Sequence, residues 1–167
     1  MRSVYGTSIG SESQEPVPIS FDTGGILFGS DQITTDLQAY QPSQWQALQL
    51  WQTFINNVDP LLKILHIPTA QAEIYGAINN PISAAEDLNA LMFSIYFAAV
   101  TSLSSSSVVN ILGEPKVTAL GRYKKGLEQS LLKSRFLDSP SMRSLQAWTI
   151  YIVSNLWLGS FLVLKSS

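Results

Sequence analysis

The sequence predicts an all-α fold, an irregular multi-helix bundle behind a disordered N-terminal leader. Three observations carry that expectation. From Ser43 onward, apolar residues recur every three or four positions rather than every second one. Capping signals, Ser43 with Gln46 and Ser83 with Glu86, stand ahead of these periodic runs. Proline, glycine or paired asparagine closes them, and the sequence holds no alternating segments joined by hairpin turns.

Residues 1–41 are rich in Ser, Gly, Thr, Gln and Pro without sustained periodicity, which argues for a disordered leader or linker; residues 42–167 form the helical domain. The leader has no basic stretch running into an apolar one, so it is not a secretory signal. Within it, Gly24-Gly25-Ile26-Leu27-Phe28-Gly29 is a short apolar plug. No lysine follows it in Walker spacing and no strand precedes it, which argues against a phosphate-cradling loop.

The stretch from Pro42 to Gln71 organises the rest of the chain. Trp45, Leu48, Trp51, Phe54 or Ile55, and Val58 mark one stripe of an amphipathic helix that starts at the Ser43–Gln46 capping box. Asp59-Pro60 is expected to stop it, because the residue before a proline is pushed out of the α region. Pro60 then opens a short second helix through Leu61, Leu62, Ile64 and Leu65, with Asp59 as its cap. Pro68 breaks that helix, and a third runs from about Thr69 to Asn79, where Asn79-Asn80-Pro81 ends it.

Ser83 and Glu86 open a helix from about Ala84 to Leu103. Leu88, Leu91, Met92, Ile95, Tyr96, Ala99 and Leu103 form its inner face, and Phe93 and Phe97 make much of the remainder apolar. Such a helix lies at the centre of a bundle or in a membrane. The run falls short of the roughly 20 apolar residues of a span, which favours the bundle. Ser104 to Ser107 reads as a loop, followed by a short helical turn ended by Gly113. Pro115 to Ser134 is the next helix, with Val117, Leu120, Leu127, Leu131 and Leu132 inside and Arg122, Lys124 and Lys125 around Tyr123 outside. Glu128 lies one turn beyond Lys124, the pattern of an ordinary solvated face rather than a nucleic-acid patch. In Asp138-Ser139-Pro140, Ser139 is the expected N-cap and Pro140 the first residue of a last helix, continued by Leu145, Trp148, Ile152 and Leu156.

With 46% apolar residues among 167, the chain can bury one sizeable core. Charged residues make up only 13%, against about 25% in typical domains, so much of the surface is uncharged or covered by a partner. The formal charge of -2 offers phosphate backbones no overall attraction, and the chain alone is not expected to bind nucleic acid directly. Without cysteine, disulfides, thiol chemistry and thiolate-bound zinc are excluded. His66 is the one histidine, which excludes multi-histidine metal sites. A base built from His66, Asp59 and a serine lacks a nucleophile elbow, and a hydrogen-bonded corner histidine is the expected role. Glu73, Glu86, Asp87, Glu114 and Glu128 form no ligating or catalytic pattern. No catalytic, cofactor-binding or metal-ligating residues, no cofactor and no enzyme activity are therefore expected.

LWQTFINNVDPLLKILHIPTAQ, then LNALMFSIYFAAVTSLS, then GRYKKGLEQSLLKSRFLDSPSMRSLQAWTIYIV together resemble the opening of the regulatory (middle homology) domain of fungal binuclear zinc-cluster transcription factors. The resemblance runs from roughly Gly24 to Val153, and its most specific phrase is W-x-x-F-x-x-N-V-D-P-L-x-K-I-x-H-x-P-T. It implies the N-terminal part of an all-helical regulatory domain, incomplete and divergent after Val153, without the six-cysteine cluster that binds DNA in the family. It further implies a transcription-regulator-type interaction domain of the nucleus, from a truncated or fragmentary factor. Its partners would be other proteins or the remainder of a regulatory domain, with homo-association a further expectation. Many family members govern nutrient use or secondary-metabolite genes.

A second reading is a small tail-anchored membrane protein with Leu145 to Leu164 as its span, flanked by Arg143 and Lys165. Gln146, Ser154, Asn155 and Ser160 within the stretch weigh against it, since each is costly in hydrocarbon. The expectation is a core helix lacking some of its packing partners and left with an exposed apolar face.

Overall fold

The computed structural model describes residues 36–165; the expectations for the leader through residue 35, including the glycine-flanked plug, lie outside the described residues. A 3-10 turn, Leu37–Tyr40, comes first, capped by Asp36 Oδ1, which accepts from the Gln38 N–H at 2.9 Å. Its Leu37 is buried. Everything after it is helix or short connection, and no strand occurs among the described residues.

Helix α1 (Gln44–Thr53) starts at the expected capping box: Gln46 N–H donates to Ser43 Oγ at 3.3 Å and Ser43 N–H to Gln46 Oε1 at 3.0 Å. The buried face, running past the end of α1, is Ala47, Leu50, Trp51, Phe54 and Val58. The expected stripe shares its last three residues with this set, but Trp45 and Leu48 are 57% and 39% exposed. At 3.6 residues per turn two overlapping stripes diverge toward one end, and here small Ala47 and Leu50 take the inner side.

No corner forms at Asp59-Pro60. Residues Phe54–Val58 widen into a π turn in which the Asp59 N–H donates to the Phe54 carbonyl, and Asp59 itself is helical at φ -55 and ψ -40. Proline in a regular helix removes a hydrogen bond and crowds the carbonyl one turn back; the wider turn accommodates both. Helix α2 (Asp59–Leu62) therefore begins at Asp59, which makes no cap hydrogen bond and instead is buried and paired with Lys63 at 3.3 Å. Left-handed Lys63 (φ 48), rather than Pro68, ends α2. Pro68 lies in the first turn of α3 (Ile67–Asn79), where its missing donor costs nothing. Exposed His66 precedes α3, its Nδ1 2.8 Å from Thr69 Oγ1, which fits the hydrogen-bonded corner role.

The second capping box does not form. Pro81 opens a 3-10 turn (Pro81–Ser83), Ser83 Oγ donates to the Asn80 carbonyl at 3.0 Å, and helix α4 (Glu86–Ser102) starts after Ala85 with no side-chain cap. Glu86 and Asp87 in its first turn complement the helix dipole instead. From Asn89 to Val100 every residue of α4 is buried. The expected central helix is thus central. It is enclosed chiefly by two later helices, α6 (Lys116–Lys133) and α7 (Met142–Lys165), with α1 and the π turn on a further side. Its closing carbonyls, those of Thr101 and Leu103, accept from Lys116 Nζ at 2.9 and 2.6 Å.

The serine run is not a loop: Ser104 caps helix α5 (Ser105–Leu112), accepting from the Ser107 N–H at 3.2 Å, and Gly113 closes it at φ 71. Helix α6 buries Ala119, Tyr123, Gly126, Leu127, Ser130 and Leu131, while Val117 is 78% exposed. Tyr123, expected outside, is fully buried and its ring centroid lies 5.5 Å from that of Tyr96. Helix α7 starts later than expected. Ser141, not Ser139, meets its first turn, accepting from the Ser144 N–H at 3.1 Å. Ser144, Ala147, Ile150 and Ser154 are its buried side, and small side chains among them let α7 approach α4.

Candidate protein-interaction surface

Burial on α7 leaves a large apolar remainder. Leu145 (44%), Ile152 (39%), Leu156 (66%) and Trp157 (48%) are exposed although their spacing is helical, because the buried side is the one carrying Ser144, Ala147, Ile150 and Ser154. Of the stripe read from the sequence, Leu145, Ile152 and Leu156 are therefore outer, whereas Trp148 is half-buried, its ring centroid 5.9 Å from that of Phe136 and 5.8 Å from that of Tyr151. Single exposed leucines are ordinary, whereas contiguous apolar patches mark places where another surface docks.

The patch becomes concave beside α2. Val58, Leu61 and Leu62 on one side and Val153, Leu156 and Trp157 on the other line an open cleft of about 400 Å³, with Ser154 and Ser160 as its polar members. Leu61 is 62% exposed. Two features hold the walls. Gln146 Nε2 donates to the Ile64 carbonyl at 3.3 Å, tying α7 to the segment after α2. Arg143 clamps α7 to α3 through Glu73, with nitrogen–oxygen distances of 3.2 and 2.7 Å, and reaches Asp87 of α4 at 3.6 Å. The Ser154 hydroxyl is satisfied within its own helix by the Ile150 carbonyl at 2.7 Å, so it presents little polarity to the cleft.

The cationic residues of α6 do not make a patch comparable to this one. Arg122 pairs with Glu114 at 2.5 Å, donates to Tyr123 Oη at 3.0 Å and lies 4.9 Å above that ring. Lys124 stands 3.9 Å from Glu128, the expected pair one turn apart. Beneath them, burial pushes the Tyr123 phenol up to about 12, opposed by the Arg122 charge and reinforced by Glu114; burial and then the neighbouring Tyr123 push Tyr96 higher still. These buried phenols stay protonated across the physiological range and serve the core. Among the described residues no three acidic, histidine or cysteine side chains gather as a metal site would require. Nor is any described helix long and apolar enough to cross a membrane.

The sequence is 41% identical over 128 residues to an aurofusarin cluster transcription factor, aurR2, of Gibberella zeae, covering 77% of this chain and 19% of that protein. It is 36% identical over 132 residues to pyriculol/pyriculariol biosynthesis cluster transcription factor 1 of Pyricularia oryzae, covering 77% of this chain and 18% of that one. A C6 finger domain transcription factor, nscR, of Arthroderma gypseum is 34% identical over 113 residues, 65% of this chain and 16% of its own. The chain thus spans less than a fifth of the length of these relatives. No family profile matches it, and no solved structure does.

Proposed function

Since this chain belongs, over its matched residues, to the fungal six-cysteine zinc-cluster transcription factors, we propose that its helices act as the opening part of a regulatory domain that works by protein–protein contact in the nucleus. The observation that carries this reading is the cleft between α2 and α7, apolar, partly preformed and edged by exposed Leu61, Leu156 and Trp157. Such a cleft fits the apolar face of a helix, a recurrent way for one polypeptide to receive another. Its occupant, in this proposal, is the remainder of a regulatory domain of the same family, with the domain itself taken as residues 42–167. The names of the relatives connect them with aurofusarin and pyriculol gene clusters, so control of a secondary-metabolite gene set is the pathway class proposed. The chain contributes no DNA contact of its own in this scheme, as its charge of -2 and lack of cysteine support. It performs no catalysis, which accords with relatives that are named as transcription factors.

The test is co-expression of the full chain with the rest of the aurofusarin cluster factor, that is, the portion on the C-terminal side of the matched stretch. The expected result is a stoichiometric complex on size exclusion, lost when Leu61→Glu and Trp157→Glu are combined in a chain whose helical circular dichroism is unchanged. A soluble pair that never co-elutes, or a complex indifferent to both changes, overturns the assignment of the cleft.

A further inference from the structure

The loop between α6 and α7 exposes a hydroxyl that neither helix uses. Ser139 has the sequence position of a cap, yet Ser141 does the capping, and among the described residues the Ser139 hydroxyl forms no hydrogen bond. Only its backbone is engaged, its N–H donating to the Arg135 carbonyl at 2.9 Å. Residues 137–140 are exposed one after another, outside any helix. Pro140 follows, and Ser139-Pro140 is the one Ser-Pro or Thr-Pro pair in the 167 residues. Proline after the serine removes a backbone donor and favours an extended conformation at the serine, the form in which a peptide threads an enzyme's cleft.

We propose that Ser139 is a phosphorylation site for a proline-directed protein kinase. In the transfer, Ser139 Oγ bonds to the γ-phosphorus of ATP as the bond to the β,γ-bridging oxygen breaks; ADP leaves, and the hydroxyl proton passes to the kinase's catalytic carboxylate. The product carries a charge of about -1.5 to -2 just before the first turn of α7, where the positive end of the helix dipole favours an anion. Arg135, exposed and now 3.3 Å from Asp138, is the cation within reach; it leaves Asp138 for the phosphate. Arg143 is engaged by Glu73 and Asp87 and stays there.

The purified 167-residue chain is incubated with magnesium ATP and a proline-directed kinase, in parallel with a kinase that selects basic residues, and the products are mapped by tandem mass spectrometry. The same mapping is done on chain expressed in a filamentous fungus and isolated with phosphatase inhibitors. The expected result is a single phosphate on Ser139, from the proline-directed enzyme and in cells. It is lost in Ser139→Ala and also in Pro140→Ala, which keeps the hydroxyl. Amide exchange in the first turn of α7 should slow roughly two- to fivefold on phosphorylation, the effect of an anion at a helix N-terminus. Phosphate placed elsewhere with Ser139 unmodified in both preparations, or unchanged labelling of Pro140→Ala, overturns the proposal.

Discussion

Gly126 shows how little room the core leaves. It sits inside α6, and a methyl group added there would meet the Phe93 ring at 2.5 Å, in a part of the core where Phe93 is wholly buried. Alanine in a helix gains about 1 kcal/mol in propensity over glycine, whereas overpacking costs about 1–3 kcal/mol. Because that ring is enclosed, Gly126→Ala should lose about 1–2 kcal/mol net in urea unfolding; an unchanged midpoint would mean that Phe93 moves freely. Tyr123 makes a different prediction. Its folded-state phenol titrates above its unfolded counterpart, so the stability it lends is complete below pH 10 and is lost as pH rises toward about 12. Thermal midpoints should fall through that window in the native chain and fall less in Tyr123→Phe. The burial of Tyr123 was hidden in the sequence because Arg122, Lys124 and Lys125 surround it. A cationic neighbourhood in sequence says nothing about which way the one residue between them points.

Capping chemistry was legible where the hydroxyl had no local rival. The Ser43–Gln46 box formed, and Gln46 does more than close it: its Nε2 donates to the Leu112 and Ile111 carbonyls at 3.3 and 3.5 Å, the end of α5. Gln46→Ala therefore removes a cap partner and leaves carbonyls of a second helix end unserved, and should cost more than Ser43→Ala, about 1.5–2 against about 1 kcal/mol. Equal losses in chemical unfolding would assign Gln46 to the box alone. Elsewhere the same residue types misled. Ser83 turned back to Asn80, and the serine run became a cap and helix because Ser104 accepts from the Ser107 N–H one turn ahead. Serine competes for whichever backbone group is nearest, and only the three-dimensional path decides which that is.

The bundle as a whole was legible, since α4 announces its burial by being apolar on every side and its neighbours by their periodic apolar faces. The surface was less so. The sequence showed too few charges and a long apolar tail but could not show which of the stripes on α7 turns inward, because serine and alanine pack against α4 as readily as leucine would. The outcome is a face of Leu145, Ile152, Leu156 and Trp157 open to solvent, and a chain that should associate through it. Sedimentation velocity should reveal concentration-dependent species, reduced in Leu156→Glu with Trp157→Glu at a stability cost of roughly 0.5 kcal/mol or less, since both are surface positions. A monomer at every concentration would show that this face does not pair with a second copy of the chain.

The π turn before Asp59-Pro60 is equivalent to an alignment gap. A wide turn holds one residue more than a regular one, and each residue rotates the downstream helix by about 100°. The chain from Phe54 to Val58 thus carries, in effect, a one-residue insertion that sets the direction in which Leu61 and Leu62 point. Deleting exposed Asn56 should swing both away from α7 and bring the Pro60 ring against a carbonyl, a double defect. The same deletion combined with Pro60→Ala should restore a straight helix while still erasing the cleft, observable as normal helicity with lost binding. A gap of a single position would then be enough to separate chains that share the bundle from chains that share its partner.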